Sequence, residues 1–444
     1  MRLDRGSPLG RWQVRIFSAA WITYFAYYLC RLNMTVAKTP LCREFGWSAA
    51  DFGKVFTALT ILYAVGQFVN GQLGDRFGTR IVASIGVMGS VAINLGVYVL
   101  TLTASRAPEH REGVLRGLIV LWAANGFFQA MGWSPMVRLM AHWFPASGRG
   151  RVMGFFGTCY QFGGAASDFL ATFLTGYFVV RMGGDWRMVF VVPAVIFAAV
   201  GVGFYFRVRN DPEEAGLPPV DDGESPSGMP RAAERGTLSR NIAATVGNPT
   251  LWIIAAAFFM LDMNRYGFVN WMPSFLDHHA AAKESPFLKD FKKIMTLCIH
   301  PLAGSLGAFT AGWATDRFFG GRRAPVVAVL LALLGVFSVG FAHIDPRNTG
   351  LVVTIVALVG FCTYGPHILL VGHSAQDFGK RKGAAGAAGF IDAVGYVGAS
   401  VAGWGAGKLI DTKGYSTTFT IFGLAGFLGA ACACFLWKRR PREG

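Results

Sequence analysis

Four side chains in the first long apolar stretch are placed to do chemistry together. Tyr24, Tyr27, Tyr28 and Arg31 fall at i, i+3, i+4 and i+7, so on a helix they share one face. An arginine deep in an apolar segment is costly in hydrocarbon and normally faces a bundle interior or a water-filled cavity. A second segment repeats the combination: Asp262, Arg265 and Tyr266 lie in M-L-D-M-N-R-Y-G-F-V-N-W, which runs from Met260 to Trp271. Two such arginines, one in each half of the chain and each beside tyrosine, suit an anion. The guanidinium fork matches phosphate or carboxylate with two parallel hydrogen bonds. Two further carboxylates lie in apolar segments, Asp168 and Asp392. Asp168 reads as structural. Asp392 is open to three readings: a charge partner or substrate-hydroxyl acceptor, a proton-coupling group, or plain helix packing. Asp262 stands one turn before Arg265 and could shield it in an empty site.

These residues need a membrane-spanning scaffold. Of 444 residues, 53% are hydrophobic and only 15% charged; mean hydropathy is +0.42. Long apolar runs recur too often for a soluble core, so the fold class is an all-α membrane protein. Twelve spanning helices are expected, at about 12–37, 50–70, 81–104, 114–143, 150–178 and 186–207, then 250–277, 288–313, 323–343, 349–375, 383–408 and 415–437. The domains are then a six-helix bundle over 1–209, a polar linker over 210–248 and a second six-helix bundle over 249–444. The net charge of +16 does not indicate nucleic acid, because the Lys and Arg sit in short loops between apolar segments. Their distribution favours cytoplasmic termini, although Lys283, Lys289, Lys292 and Lys293 then cluster outside. The segment after the basic N-terminus has no small-residue cleavage site and reads as the first helix. Seven cysteines without ligand spacing read as small packed side chains, and the histidines show no metal spacing, with His367 and His373 weak cavity candidates. No cofactor and no nucleophile–base set is implied.

The halves resemble each other. G-Q-L-G-D-R-F-G-T-R, with Asp75 and Arg76, follows the second helix; G-W-A-T-D-R-F-F-G-G-R-R, with Asp316 and Arg317, follows the eighth. Its duplication points to gating by charges that pair across helix ends. Glycine-rich runs at 150–165 and 383–398 also correspond, suited to close helix packing. Parallel six-helix repeats with a site near the midplane are a transporter architecture.

The duplicated loop resembles the signature of the major facilitator superfamily, and its fold is therefore expected. A-Y-Y-L-C-R-L-N around Arg31, F-Q-A-M-G-W-S-P around Trp133, R-Y-G-F-V-N-W-M-P from Arg265, Y-G-P at Tyr364 and G-F-I-D-A-V-G-Y ending at Tyr396 resemble the organophosphate:phosphate antiporters. The resemblance implies that Arg31 and Arg265 bind substrate phosphate, with Tyr24, Tyr28, Trp133, Tyr266, Tyr364 and Tyr396 lining the cavity. It implies exchange of a phosphorylated organic anion, a sugar phosphate or glycerol 3-phosphate, for inorganic phosphate by alternating access. Three positions depart from the glycerol-3-phosphate type: Gln67 replaces a lysine, Tyr160 a histidine, and Pro301, beside His300, a glutamate. The variant around Asp392 is nearer the sugar-phosphate exchangers. Two other classes stay open, a non-transporting membrane sensor of sugar phosphate and a proton-coupled symporter. The expected setting is a bacterial inner membrane, the expected state a monomer in the lipid bilayer, and no enzyme activity is expected.

Overall fold

The computed structural model describes residues 7–104, 110–145, 152–220, 246–279, 286–373 and 380–437. For Asp75, Asp316, residues 380–388 and a few other helical positions it describes the backbone alone. Twelve long helices follow in order among these residues: α1 Pro8–Phe45, α2 Ala49–Phe77, α3 Thr79–Thr103, α4 Arg111–Trp143, α5 Thr158–Thr175 and α6 Met188–Arg207, then α7 Pro249–His279, α8 Pro286–Phe319, α9 Arg323–His343, α10 Thr349–Ile368, α11 Lys380–Val401 and α12 Trp404–Cys434. A short helix, Tyr177–Met182, extends α5.

Local chemistry sets several ends. Ser7 caps α1, its hydroxyl accepting from the Gly10 amide at 3.1 Å, and Pro8 occupies a first-turn position where no amide is needed. Gly46 ends the helix in the left-handed region, at φ 67°, and a capping box of Ser48 and Asp51 starts α2. Many helices overrun the spans expected from apolarity, because caps and polar outer turns carry the backbone bonding past the hydrocarbon. The sequence suggests a break between residues 408 and 415, and Gly414 lies there in a non-helical conformation at φ 80°, where two helical stretches meet within α12; a further turn at 402–403 separates α11 from α12. Asp411, just before that break, has a partner across the molecule.

The internal repeat is visible in the packing. Asn33 of α1 donates to Asn94 of α3 and to the Val189 carbonyl of α6; Asn264 of α7 donates to Ser338 of α9 and to the Phe422 carbonyl of α12. Gly163 of α5 lets the backbone of α1 approach at Phe25, and Gly398 of α11 does the same for α7 at Phe259. Nine stretches among the described residues are long and apolar enough to cross a membrane, the last running through α11 and α12. Neither α1 nor α7 is among them. Each carries buried polar groups that face other helices rather than lipid: Gln13, Arg31, Asn33 and Lys38 on α1, and Asp262, Asn264, Arg265 and Asn270 on α7. Of the expected linker, residues 210–220 and 246–248 are described; 221–245 lie outside the described residues.

The halves meet mainly toward the end where α1 closes and α2 opens. Both carboxylate oxygens of Asp411 in α12 accept from the first amides of α2, Ala49 at 3.0 Å and Ala50 at 2.7 Å. Thr57 of α2 donates to the Ser400 carbonyl and accepts from the Trp404 amide, both at 2.9 Å. A side chain at Gly403 would run into Thr57 and the Gly53 carbonyl, so this seam requires glycine. Deeper in the bundle, α5 and α8 join through Gln161 and Ser305 at 2.9 Å. Helix α4 packs on α2 and α3, and α10 on α8 and α9, within their own halves.

Candidate functional site

Arg31 and Arg265 are both buried, 5% and 8% exposed. They meet across Tyr266, which brings the two halves together at the level of the site. The Tyr266 hydroxyl lies 3.4 Å from Arg31 Nη2, a long contact, and its ring centroid lies 5.2 Å from the Arg265 guanidinium carbon.

Aromatic rings build the surroundings. The Arg31 guanidinium sits 4.2 Å from the ring centroid of Tyr63 and 5.4 Å from that of Tyr28. Tyr28 stacks on Tyr160 at 6.3 Å, and Tyr160 stacks on Tyr364 of the opposite half at 6.2 Å. Tyr364 in turn lies 5.2 Å from the Arg265 guanidinium. Tyr24 packs on Trp133 at 5.1 Å, and Trp133 on Phe156 and Tyr160. On the other side Tyr396 contacts Tyr63 at 4.8 Å and Tyr266 at 6.0 Å. Tyr24, Tyr28, Trp133, Tyr160, Tyr266, Tyr364 and Tyr396, the seven aromatic candidates, therefore lie with Tyr63 in one set of rings around the two arginines.

The electrostatic partners are unequal. Arg265 has Asp262 Oδ1 at 3.6 Å and His367 Nε2 at 2.9 Å, both on Nη1. Arg31 has no carboxylate within ion-pair distance among the described residues. Desolvating a guanidinium costs several kcal/mol. Ring faces return ~2 kcal/mol when desolvated. The Arg31 environment is thus short of negative charge, which is the condition an anion would correct. Asp392 is partly buried on α11, within electrostatic reach of Asp262, Arg265 and Arg31, so it belongs to the same charged set.

Several contributors lack an obvious signal in the sequence. Tyr63, the ring nearest Arg31, is held by Gln67, whose amide donates to its hydroxyl at 2.9 Å while accepting from Ser134 at 2.7 Å. Gln67, read only as a departure from the family pattern, thus orients a ring. The spacing of four between Tyr63 and Gln67 is the only hint. Lys38, two turns beyond Arg31 on the same face, lies 3.7 Å from the Trp271 ring centroid and 2.6 Å from Ser274 Oγ, which also accepts from Tyr415. It closes the α1–α7 seam rather than facing the arginines. Of the expected gating residues, Arg76 and Arg317 are exposed, while the side chains of Asp75 and Asp316 lie outside the described residues.

Comparison with known proteins places the chain in a family. The chain is 29% identical over 447 residues to a probable hexose phosphate transport protein of Chlamydia pneumoniae, covering 95% of this chain and 89% of the relative. It is 32% identical over 396 residues to the glycerol-3-phosphate transporter of Bacillus subtilis, covering 88% and 84%. The membrane sensor protein UhpC of Escherichia coli is 26% identical, over 97% of this chain and 94% of its own. Among solved structures, a bacterial homolog of the human lysosomal transporter Spinster, inward-facing and unoccupied, superposes with a TM-score of 0.70 at 14% identity, covering 96% and 95%. The xylose transporter XylE from E. coli, partially occluded and inward-open, superposes at 0.67 with 15% identity, covering 97% and 100%. The pattern of the Major Facilitator Superfamily matches residues 16–403. The chain is a non-enzymatic integral membrane transport protein of the Major Facilitator Superfamily, in the branch that holds its hexose phosphate and glycerol-3-phosphate transporter relatives.

Proposed function

We propose that this protein exchanges a phosphorylated organic anion, a sugar phosphate or glycerol 3-phosphate, for inorganic phosphate by alternating access. The observation that carries the reading is the pair Arg31 and Arg265, one from each half, buried on either side of Tyr266. A phosphate between them takes a guanidinium fork from each half, so occupancy and the relation of the halves are linked. The named relatives support the substrate class. Tyr24, Tyr28, Trp133, Tyr160, Tyr364 and Tyr396 shape the cavity around the organic part, and Asp392 accepts from its hydroxyls. Asp75 with Arg76 and Asp316 with Arg317 gate the opposite end. With the termini and the 210–248 linker in the cytoplasm of a bacterium, the halves sealed at the α1–α2 end make this an inward-facing state, and a single chain suffices.

Purified protein in vesicles tests the reading. Labelled sugar phosphate should enter vesicles loaded with phosphate and should not enter empty ones. Binding without any uptake favours the second reading, a sensor, which the likeness to a membrane sensor protein keeps in view. Labelling of intact cells checks orientation: Lys289 and Lys292 should react with an impermeant amine reagent, and a cysteine introduced into the linker, which has no lysine of its own, should stay unlabelled by an impermeant thiol reagent.

A further inference from the structure

The phosphate reading leaves a problem at Arg265. Asp262 precedes it by one turn on the same helix, 3.6 Å away, and a small rotamer change would close a direct two-point ion pair. A guanidinium so paired would meet an arriving phosphate already neutralised. The pair is nevertheless open: Asp262 Oδ1 is buried and has no hydrogen-bond partner. What stands on the contested Nη1 is the His367 imidazole of α10, with Nε2 at 2.9 Å. We propose that His367 is a positioning residue that holds Arg265 off Asp262 and so keeps its guanidinium available to substrate phosphate.

The geometry supports a held wedge rather than a passing contact. A guanidinium only donates, so Nε2 must be the bare nitrogen of a neutral ring, with the proton on Nδ1. The ring is fixed by Phe258 at 5.2 Å and Tyr364 at 6.3 Å between centroids. It stands one residue after Pro366 and just before a π-helical turn, Leu369–His373, an interruption that occurs often where a helix must aim a side chain. The wedge comes from a different helix than the pair it separates, so closing the pair requires the α10 imidazole to withdraw as well as a rotamer change on α7. Among the described residues no hydrogen bond engages Nη2 or Nε of Arg265, so one edge of the fork stays unoccupied. Arg31 needs no such wedge, since among the described residues no carboxylate stands within ion-pair distance of it.

This inference rests on the phosphate reading, and one set of titrations separates the two. Phosphate affinity of the purified protein would be measured by thermal shift for the parent, Arg265→Lys, His367→Leu, His367→Gln, Asp262→Asn and the double variant His367→Leu/Asp262→Asn. His367→Leu should weaken phosphate roughly 10- to 30-fold, the scale of losing a hydrogen bond to a charged group. His367→Gln, whose amide oxygen reaches about the same place, should stay within ~3-fold of the parent. The decisive variant is the double one: with no acid to collapse onto, it should recover to within ~3-fold of Asp262→Asn, the coupling expected of residues in contact. A residue that merely packs would lower the melting temperature and gain nothing from Asp262→Asn. Unchanged affinity in His367→Leu, or a double variant as weak as the single one, overturns the proposal. A parent that shows no phosphate-dependent shift would overturn the phosphate reading, and this inference with it. If the parent binds, Arg265→Lys binds more weakly and His367→Leu is silent, only the wedge falls.

Discussion

Arg31 and Arg265 come from equivalent helices of a duplicated chain and both lie against tyrosine rings, yet their other partners differ. Arg31 lies among ring faces, with Tyr63 at 4.2 Å and Tyr28 at 5.4 Å and one long contact to a hydroxyl. Arg265 is held by an imidazole and faced by a carboxylate. Rings stabilise a cation without neutralising it, whereas a carboxylate competes with any other anion. The contrast suggests a division of labour: Arg31 is the standing positive charge, and Arg265 is the one whose availability is set by its neighbours. Duplication gives two copies of a scaffold, and the side chains around each copy then diverge freely.

The largest expected effects test that division directly. Arg31→Lys keeps the charge and loses the planar fork and the stacking, so phosphate affinity should fall by about 100-fold. Arg265→Lys should cost less, roughly 10- to 30-fold, because the Asp262 carboxylate facing it already opposes an arriving anion. Equilibrium titration of phosphate on both variants is the measurement, and the reverse order would break the comparison. Next comes the ring. Tyr63→Leu should weaken phosphate by about tenfold, the worth of a partly desolvated cation–π contact, while Tyr63→Phe should stay within about twofold. Equal losses would mean that the hydroxyl, not the ring face, matters. The smallest effect is expected from Asp262→Asn. It should tighten phosphate by about two- to fivefold and leave uptake dependent on phosphate inside the vesicle. If instead an imposed pH gradient drives uptake into phosphate-free vesicles, and Asp392→Asn abolishes it, the transporter is a proton symporter and the carboxylates are its coupling groups.

Much of this was legible before the structure. The helices announce themselves by apolar length, and the α1 face from Tyr24 to Arg31 follows from helical spacing alone, since four residues at i, i+3, i+4 and i+7 must share a side. Arg265 is legible as a charge at the wrong depth. The surroundings that distinguish the arginines were not. Tyr63 approaches Arg31 from α2, and His367 reaches Arg265 from α10, 102 positions away. Such contacts depend on how helices cross, and no periodicity within one helix encodes them. Asp411 shows the same limit: nothing in D-T-K-G indicates that its carboxylate bonds the first turn of α2, 361 positions away.

That carboxylate has a consequence for how the molecule can be watched. The amides of Ala49 and Ala50 belong to the first turn of α2, where no intrahelical acceptor exists, and their bonds are supplied by Asp411 from the other half. If the halves part at this end, those two N–H groups pass to water while the bonds within each helix stay made. Their deuterium uptake then counts openings of one particular seam, against a background of protected helical amides. The protein carries its own reporter of which side it faces, read by mass without a spin label or dye, at two residues whose side chains are too small to disturb.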